Sequence, residues 1–177
     1  MLQPLISLIC EKLYLGNAAA ATDKDIINRY AIKKIFSVTD NWKHRPDERF
    51  CADLEIEQKI LPISDEPFTG YDKVLVENIF PWIKKGLEAE RGVLIHCAAG
   101  ASRSPSATMA YLVWSGMVSP EDSIVMVLVA HPCAAPDIGV LKSFFKTINS
   151  DIPDIDMVEK IFKKRRNQMW WKFLINL

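Results

Sequence analysis

Three apolar residues, Val93, Leu94 and Ile95, run straight into the segment His-Cys-Ala-Ala-Gly-Ala-Ser-Arg-Ser-Pro at 96–105, and a helix-forming stretch, Ser106 to Trp114, follows at once. The apolar run reads as a buried strand, so a glycine-containing loop joins a strand to a helix. Such a joint aims successive backbone N–H groups and the positive end of a helix dipole into one small concavity, which suits an oxyanion such as phosphate. A cysteine, Cys97, opens this concavity and an arginine, Arg103, closes it.

The rest of the chain supplies a scaffold for that joint. Leu5 to Ile9 and Leu13 to Leu15 read as short strands, with Gly16 and Asn17 ending the second. Thr22 is expected to cap a helix that runs to about Tyr30, and Ile32 to Val38 gives another strand. The polar region Thr39 to Asp53 reads as an exposed loop, and Leu54 to Ile63 alternates like a strand. Helical spacing recurs over Tyr71 to Glu90, where Pro81 should kink or split the helix. Ser119 caps a helix over the apolar run Ile124 to Ala130, which Gly116 separates from the helix after the loop. His131-Pro132 stops it, and Asp137 caps a last core helix through Asn149.

Strands alternating with helices, then mostly helices, predict an α/β domain with a central mixed, partly parallel sheet flanked by helices on both faces. Ligands of such sheets gather at the carboxyl ends of strands, where the strand ending at Ile95 delivers Cys97. A chain of 177 residues suits one such domain. Residues 1–150 are expected to form the catalytic domain, and 151–177 a helical extension combining Lys163, Lys164, Arg165 and Arg166 with Trp170, Trp171 and Phe173.

Charge and cysteine usage exclude several functions. Lysine plus arginine and aspartate plus glutamate both number 22, so no global field recruits nucleic acid or an anionic membrane. The four cysteines, Cys10, Cys51, Cys97 and Cys133, are far apart, which points to neither a zinc site nor a disulfide framework. No metal and no cofactor is expected. A reducing compartment follows, cytoplasmic with a nuclear location as the alternative. The apolar start lacks a basic leader, and no apolar run is long enough to span a bilayer. For the terminal basic cluster, a solvated helix face is favoured over peripheral membrane contact.

The loop's contents specify chemistry. A free cysteine titrates near 8.5, but amide dipoles, a helix N-terminus and a guanidinium can depress that to roughly 3.5 to 7.5 and yield a thiolate nucleophile. Cys97 has all three at hand. Arg103 offers a planar fork matched to two phosphoryl oxygens. Gly100 permits a tight turn, the Ser104 hydroxyl is placed to stabilise the Cys97 sulfur as a leaving group, and His96 orients the loop. An alkoxide leaves poorly without a proton, so a general acid is required, and Asp65, in a loop after a strand, is the candidate, with Glu66 the weaker alternative. Asp65 would later deprotonate the water that hydrolyses a phosphocysteine. His44 and His131 read as surface or capping residues, Cys10 and Cys133 as thiols without a role, and Cys51 as a possible oxidative partner of Cys97.

On these residues the chain resembles a dual-specificity protein phosphatase of the cysteine-dependent protein tyrosine phosphatase superfamily. The resemblance rests on the loop His96-Cys97-Ala98-Ala99-Gly100-Ala101-Ser102-Arg103-Ser104 and on Leu13-Tyr14-Leu15-Gly16-Asn17, Pro62-Ile63-Ser64-Asp65, Ala110-Tyr111-Leu112 and Pro136-Asp137-x-Gly139. It implies Cys97 as nucleophile, Arg103 as phosphate ligand, Asp65 as general acid and Ser104 as the hydroxyl that helps break the thiophosphate. The chain departs from the family at Asp137, Val140 and His131, where Asn, Phe and Arg are usual. Lipid-directed relatives carry lysine or arginine where Ala98, Ala99 and Ala101 stand, so phosphorylated proteins are the expected substrates, phosphoserine and phosphothreonine beside phosphotyrosine. With no large N-terminal extension, the chain is similar to the small atypical members. A phosphoinositide or RNA 5′-triphosphate phosphatase, and a non-catalytic phosphoprotein-binding module, are the alternatives.

Overall fold

A computed structural model describes residues 4–150 and Lys160. The extension expected over 151–177 therefore falls, Lys160 apart, outside the described residues.

Five strands form one sheet: β1 (Ile6–Cys10), β2 (Leu13–Gly16), β3 (Ile32–Val38), β4 (Glu57–Leu61) and β5 (Gly92–His96), in the order β1-β2-β5-β3-β4. The β1–β2 hairpin is antiparallel, and the pairs β2–β5, β5–β3 and β3–β4 are parallel. The sheet is thus mixed and partly parallel. β5, buried at every residue, lies in its middle. Its carboxyl end is flanked by those of β2 and β3, with Gly16 and Ser37 both in register with His96.

Alternation along the strands sorts the core into two layers. Leu13, Leu15, Phe36, Val38, Val93 and Ile95 face one way, into the larger cluster, and Ile35 and Leu94 face the other, into a smaller one. The larger layer is covered by α4 (Phe80–Glu88), α5 (Arg103–Trp114), α6 (Pro120–Ala130) and α7 (Ile138–Thr147). The smaller layer takes Ala21, Ile27, Cys51 and Leu54 from the segments of α1 (Ala18–Ala21), α2 (Lys24–Arg29) and α3 (Glu48–Asp53). At about 1.5–3 kcal/mol for each large apolar side chain buried, the first layer supplies most of the driving force.

Four expectations are corrected. Asp23, not Thr22, caps α2: its carboxylate accepts from the Asp25 and Ile26 N–H groups, whereas Thr22 ends α1 and donates back to the Ala18 carbonyl. The expected loop 39–53 contains a 3-10 turn over Trp42–His44 and all of α3, capped by Asp47. The expected strand 54–63 is reduced to β4, because Leu54 ends α3 and Glu55 turns with positive φ. α5 begins at Arg103 rather than Ser106. Pro81 does not split the long helix in two: a π-type segment over Val74–Ile79 runs directly into α4, which has the proline in its first turn. A proline ring clashes with the carbonyl four residues back, and widening the turn relieves that contact.

Candidate active site

β5 ends at His96, and the loop begins inside the protein. His96 is wholly buried; its Nε2 lies 2.7 Å from Ser37 Oγ, and its Nδ1 lies 3.3 Å from the Cys97 carbonyl. Gln58 Nε2 donates to the same Ser37 oxygen at 2.9 Å, leaving the Ser37 proton to donate to His96 Nε2. The proton of the neutral ring is thereby assigned to Nδ1, aimed at the Cys97 carbonyl. Burial pushes the His96 pKa down to about 4, so the ring is neutral at physiological pH.

Hydrogen bonds from two other segments, α1 and the stretch before α7, then hold the loop. Ala18 N–H donates to the Ala98 carbonyl at 3.1 Å, Ala135 N–H donates to Ala101 at 2.8 Å, and the Asp137 N–H donates to Ser102 Oγ at 3.2 Å. Gly100 makes the turn with φ +73°, and a Cβ there would lie 3.0 Å from the Gly16 carbonyl oxygen. Both the left-handed backbone and the close approach to β2 demand glycine. Ala98 and Ala101 are half-buried and Ala99 is exposed, so the loop presents small, uncharged side chains.

Cys97 lies at the floor of this loop, 2% exposed. Ser104, in the first turn of α5, is 3.2 Å from Cys97 Sγ and 3.3 Å from the Gly16 carbonyl, and its hydroxyl donates to one of them at a time. Arg103 swings toward a different strand end. Its Nη1 donates to the Ile63 carbonyl at 3.1 Å, while Asp40 Oδ1 stands 3.7 Å from Nη1 and Asp65 Oδ1 stands 3.8 Å from Nε. Nε is buried with no hydrogen-bond acceptor. A buried, unpaired guanidinium donor is costly, and an oxyanion in the loop would satisfy it.

Asp65 belongs to the loop after β4. Ser64, Asp65, Glu66 and Pro67 are all exposed, and anchoring comes next, at Phe68. Its N–H donates to Ser143 Oγ at 3.0 Å, and its ring meets Phe144 of α7 edge-on at 4.7 Å. Pro67 packs so closely on α7 that a Cβ at Gly139 would lie 2.6 Å from its Cγ. The Asp137-x-Gly139 stretch thus joins both halves: Asp137 caps α7 and bonds Ser102, and Gly139 admits the loop that carries Asp65.

The structure therefore pairs Cys97 with Ser104 at 3.2 Å and Arg103 with Asp65 at 3.8 Å, the two pairs being joined through the adjacent residues Arg103 and Ser104. Glu66 is exposed in the same loop. Three placements bear on the expectations. His131 is the C-cap of α6, one of its two expected places, and is wholly buried rather than on the surface, its ring hydrogen-bonded inside the protein to Ser7 and Cys133. His44 is half-buried. Cys51 lies in the smaller core layer and Cys97 in the larger one on the other side of the sheet, which disfavours a direct disulfide between them. Sequence reasoning missed Asp40, although a carboxylate two residues past β3, at the carboxyl end of a strand paired with β5, is where a parallel sheet concentrates function.

Chemically, such a site can bind a phosphoryl group, attack it through sulfur and supply a proton from a carboxyl group. The chain is 33% identical over 144 residues to dual specificity protein phosphatase 7 of Homo sapiens, covering 80% of this chain and 33% of that protein. It is 29% identical over 136 residues to dual specificity protein phosphatase 22-B of Danio rerio, covering 76% of this chain and 69% of that protein. The chain thus spans about a third of the length of its human relative. The crystal structure of human DUSP28 has the same fold, with a TM-score of 0.69 at 22% identity over 82% of this chain and 94% of that one. A sequence model described as the dual specificity phosphatase catalytic domain matches residues 13–149. That match runs from β2 past the end of α7 and takes in every element that frames the loop, so the chain belongs to the dual specificity phosphatase family.

Proposed function

We propose that the chain hydrolyses phosphotyrosine and phosphoserine or phosphothreonine on protein substrates through a phosphocysteine intermediate. One observation carries the reading: the Arg103 Nε is buried without an acceptor beside a loop whose floor is the Cys97 sulfur, with Asp65 3.8 Å away. The substrate's phosphoryl oxygens supply that acceptor. Cys97 Sγ attacks phosphorus, the Asp65 carboxyl gives its proton to the departing oxygen, and the phosphoryl group rests on sulfur. Asp65, now a carboxylate, takes a proton from water as that water attacks phosphorus. The Ser104 hydroxyl, 3.2 Å from Sγ, then donates to the departing thiolate.

The uncharged Ala98, Ala99 and Ala101 favour a protein substrate over a phosphoinositide, because they offer no cation for a second phosphate. Initial rates on phosphotyrosine and phosphothreonine peptides, phosphoinositides and 5′-triphosphate RNA, with Cys97→Ser as control, test the proposal. Turnover of both peptides and its loss in Cys97→Ser is the expected outcome. Preference for a phosphoinositide or the RNA would replace the substrate class, and peptide binding without turnover in the unaltered chain would make it a binding module.

A further inference from the structure

A second group of reactive side chains lies against the outside of the phosphate loop. His131, at the end of α6, is wholly buried, with Nε2 3.0 Å from Cys133 Sγ and Nδ1 2.9 Å from Ser7 Oγ on β1. The Ala134 N–H closes the turn on the His131 carbonyl at 2.9 Å, and Ala135 is tied to Ala101 of the loop, so the segment bearing Cys133 is fixed at both sides. Cys133 itself is half-buried, and so within reach of a small reagent. Sulfur, imidazole and hydroxyl thus stand in line, an arrangement that activates a thiol: one nitrogen takes the proton from sulfur while the other is held in place by a third group.

The contacts of the ring allow two neutral tautomers, and the base role uses one of them. If Nε2 accepts the Cys133 thiol proton, Nδ1–H donates to Ser7 Oγ, and both ring nitrogens are used. Burial holds the His131 pKa below its ordinary value, with the Gly100 backbone acting the other way, so the ring is neutral at physiological pH and free to act as a base. Two other thiols stand in contrast. Burial pushes Cys10 and Cys51 up, which keeps them protonated and slow.

We propose that Cys133 is a thiol-modification site, separate from Cys97, that takes low-molecular-weight disulfides by thiol–disulfide exchange, with His131 as its base and Ser7 as the residue that positions the ring. Cys133 gives its proton to His131 Nε2, and its sulfur attacks one sulfur of the disulfide. The S–S bond of the reagent breaks as the Cys133 mixed disulfide forms, and the departing thiolate takes the proton from the imidazolium and leaves as a thiol. One disulfide is consumed, one is made and one thiol is released, with no external oxidant. Nothing in this step uses Cys97, Arg103 or Asp65, so the inference stands apart from the phosphatase reading.

The experiment treats the full Cys97→Ser chain with glutathione disulfide and follows each cysteine by peptide mass spectrometry. The Cys133 adduct is expected to form at least about tenfold faster than adducts on Cys10 or Cys51, and His131→Gln is expected to slow it by about tenfold or more. Equal rates at the three thiols, or an unchanged rate in a folded His131→Gln protein, would overturn the proposal. Because replacing a wholly buried histidine can unfold the chain, Ser7 on the edge strand β1 carries the same test from outside the core. Ser7→Ala should slow adduct formation several-fold and Ser7→Thr should restore it; a Ser7→Ala chain that reacts at the original rate would remove the relay.

Discussion

The loop from His96 to Ser104 and the loop from Ser64 to Pro67 meet at Arg103, yet they are built by opposite means. In the first, five of nine residues are buried, and hydrogen bonds from α1, α5 and the segment before α7 fix its backbone and side chains. In the second, all four residues are exposed, and Asp65 is tied to the first loop only by an ion pair of 3.8 Å with its own side chain 52% exposed. An ion pair of that kind is worth about 0–1 kcal/mol. In the proposed mechanism, phosphate binding and attack use groups fixed before substrate arrives, which costs no reorganisation during reaction. Proton transfer there uses a carboxyl group whose loop is pinned at Phe68 but open at Asp65.

The largest effect should come from the open half. Asp65→Ala is expected to lower kcat/KM on a phosphoserine peptide by about 10²–10⁴, the usual contribution of a general acid. The loss on p-nitrophenyl phosphate should be much smaller, since that leaving group departs without a proton. Steady-state rates on the two substrates decide it. Equal losses would mean that Asp65 only positions Arg103, and the contrast between the halves would collapse.

Acid should break the closed half first. The folded His96 pKa of about 4 lies below the ordinary 6.5, so between those values the unfolded chain binds the extra proton and stability rises with pH. The penalty is absent above pH 6.5, grows as pH falls, and is complete below about pH 4, where it reaches about 3 kcal/mol. His131, lowered in the same direction, adds to it. Urea unfolding at a series of pH values should show this slope, and His96→Gln should flatten it. A slope that His96→Gln leaves intact would show that the buried ring is not the acid-sensitive strut of the loop.

The same division governed what the sequence made legible. Strong local signals read through: the apolar run of β5 and the caps Ser119 and Asp137, each dictated by neighbours a few residues away. Residues 39–53 read as loop because polar composition hides a short helix that buries Cys51, rests Phe50 partly on the smaller layer and exposes its other side chains. Burial of His131 was equally hidden, since its partner Ser7 lies 124 positions away and no periodicity encodes that pairing. In the site, the loop was legible as a contiguous string, while the nearness of Asp40 to Arg103 depended on the β3–β5 pairing. Contiguous chemistry survives in a sequence; of the chemistry assembled by strand order, Asp65 is expected from its place after a strand and Asp40 is not.

Ser104 tests whether the closed half also governs the second chemical step. Ser104→Ala removes the hydroxyl 3.2 Å from Sγ together with its alternative bond to the Gly16 carbonyl, while the backbone bonds from Ala18 and Ala135 still hold the loop. Loss of one donor to the departing sulfur should lower kcat by about tenfold or more. Phosphoenzyme should then accumulate in acid-quenched samples. Slower turnover with no accumulation would place the defect in attack by Cys97 rather than in breakdown.

The smallest effect concerns Asp40, which belongs to neither loop but competes for the group that joins them. Its carboxylate, 55% exposed, stands 3.7 Å from Arg103 Nη1 and opposes any anion that approaches the guanidinium. Two consequences of Asp40→Asn work against each other: the anion loses a repulsive neighbour, and Arg103 loses one of its restraints. The first should win, because Nη1 stays bonded to the Ile63 carbonyl at 3.1 Å. Inorganic phosphate or vanadate should therefore inhibit the Asp40→Asn protein about two- to fivefold more tightly, the range of an exposed ion pair. High salt should shrink the difference, as it screens the exposed carboxylate more than the buried loop. Weaker inhibition instead would mean that Asp40 holds Arg103 in place, and that the closed half of the site depends on an exposed residue after all.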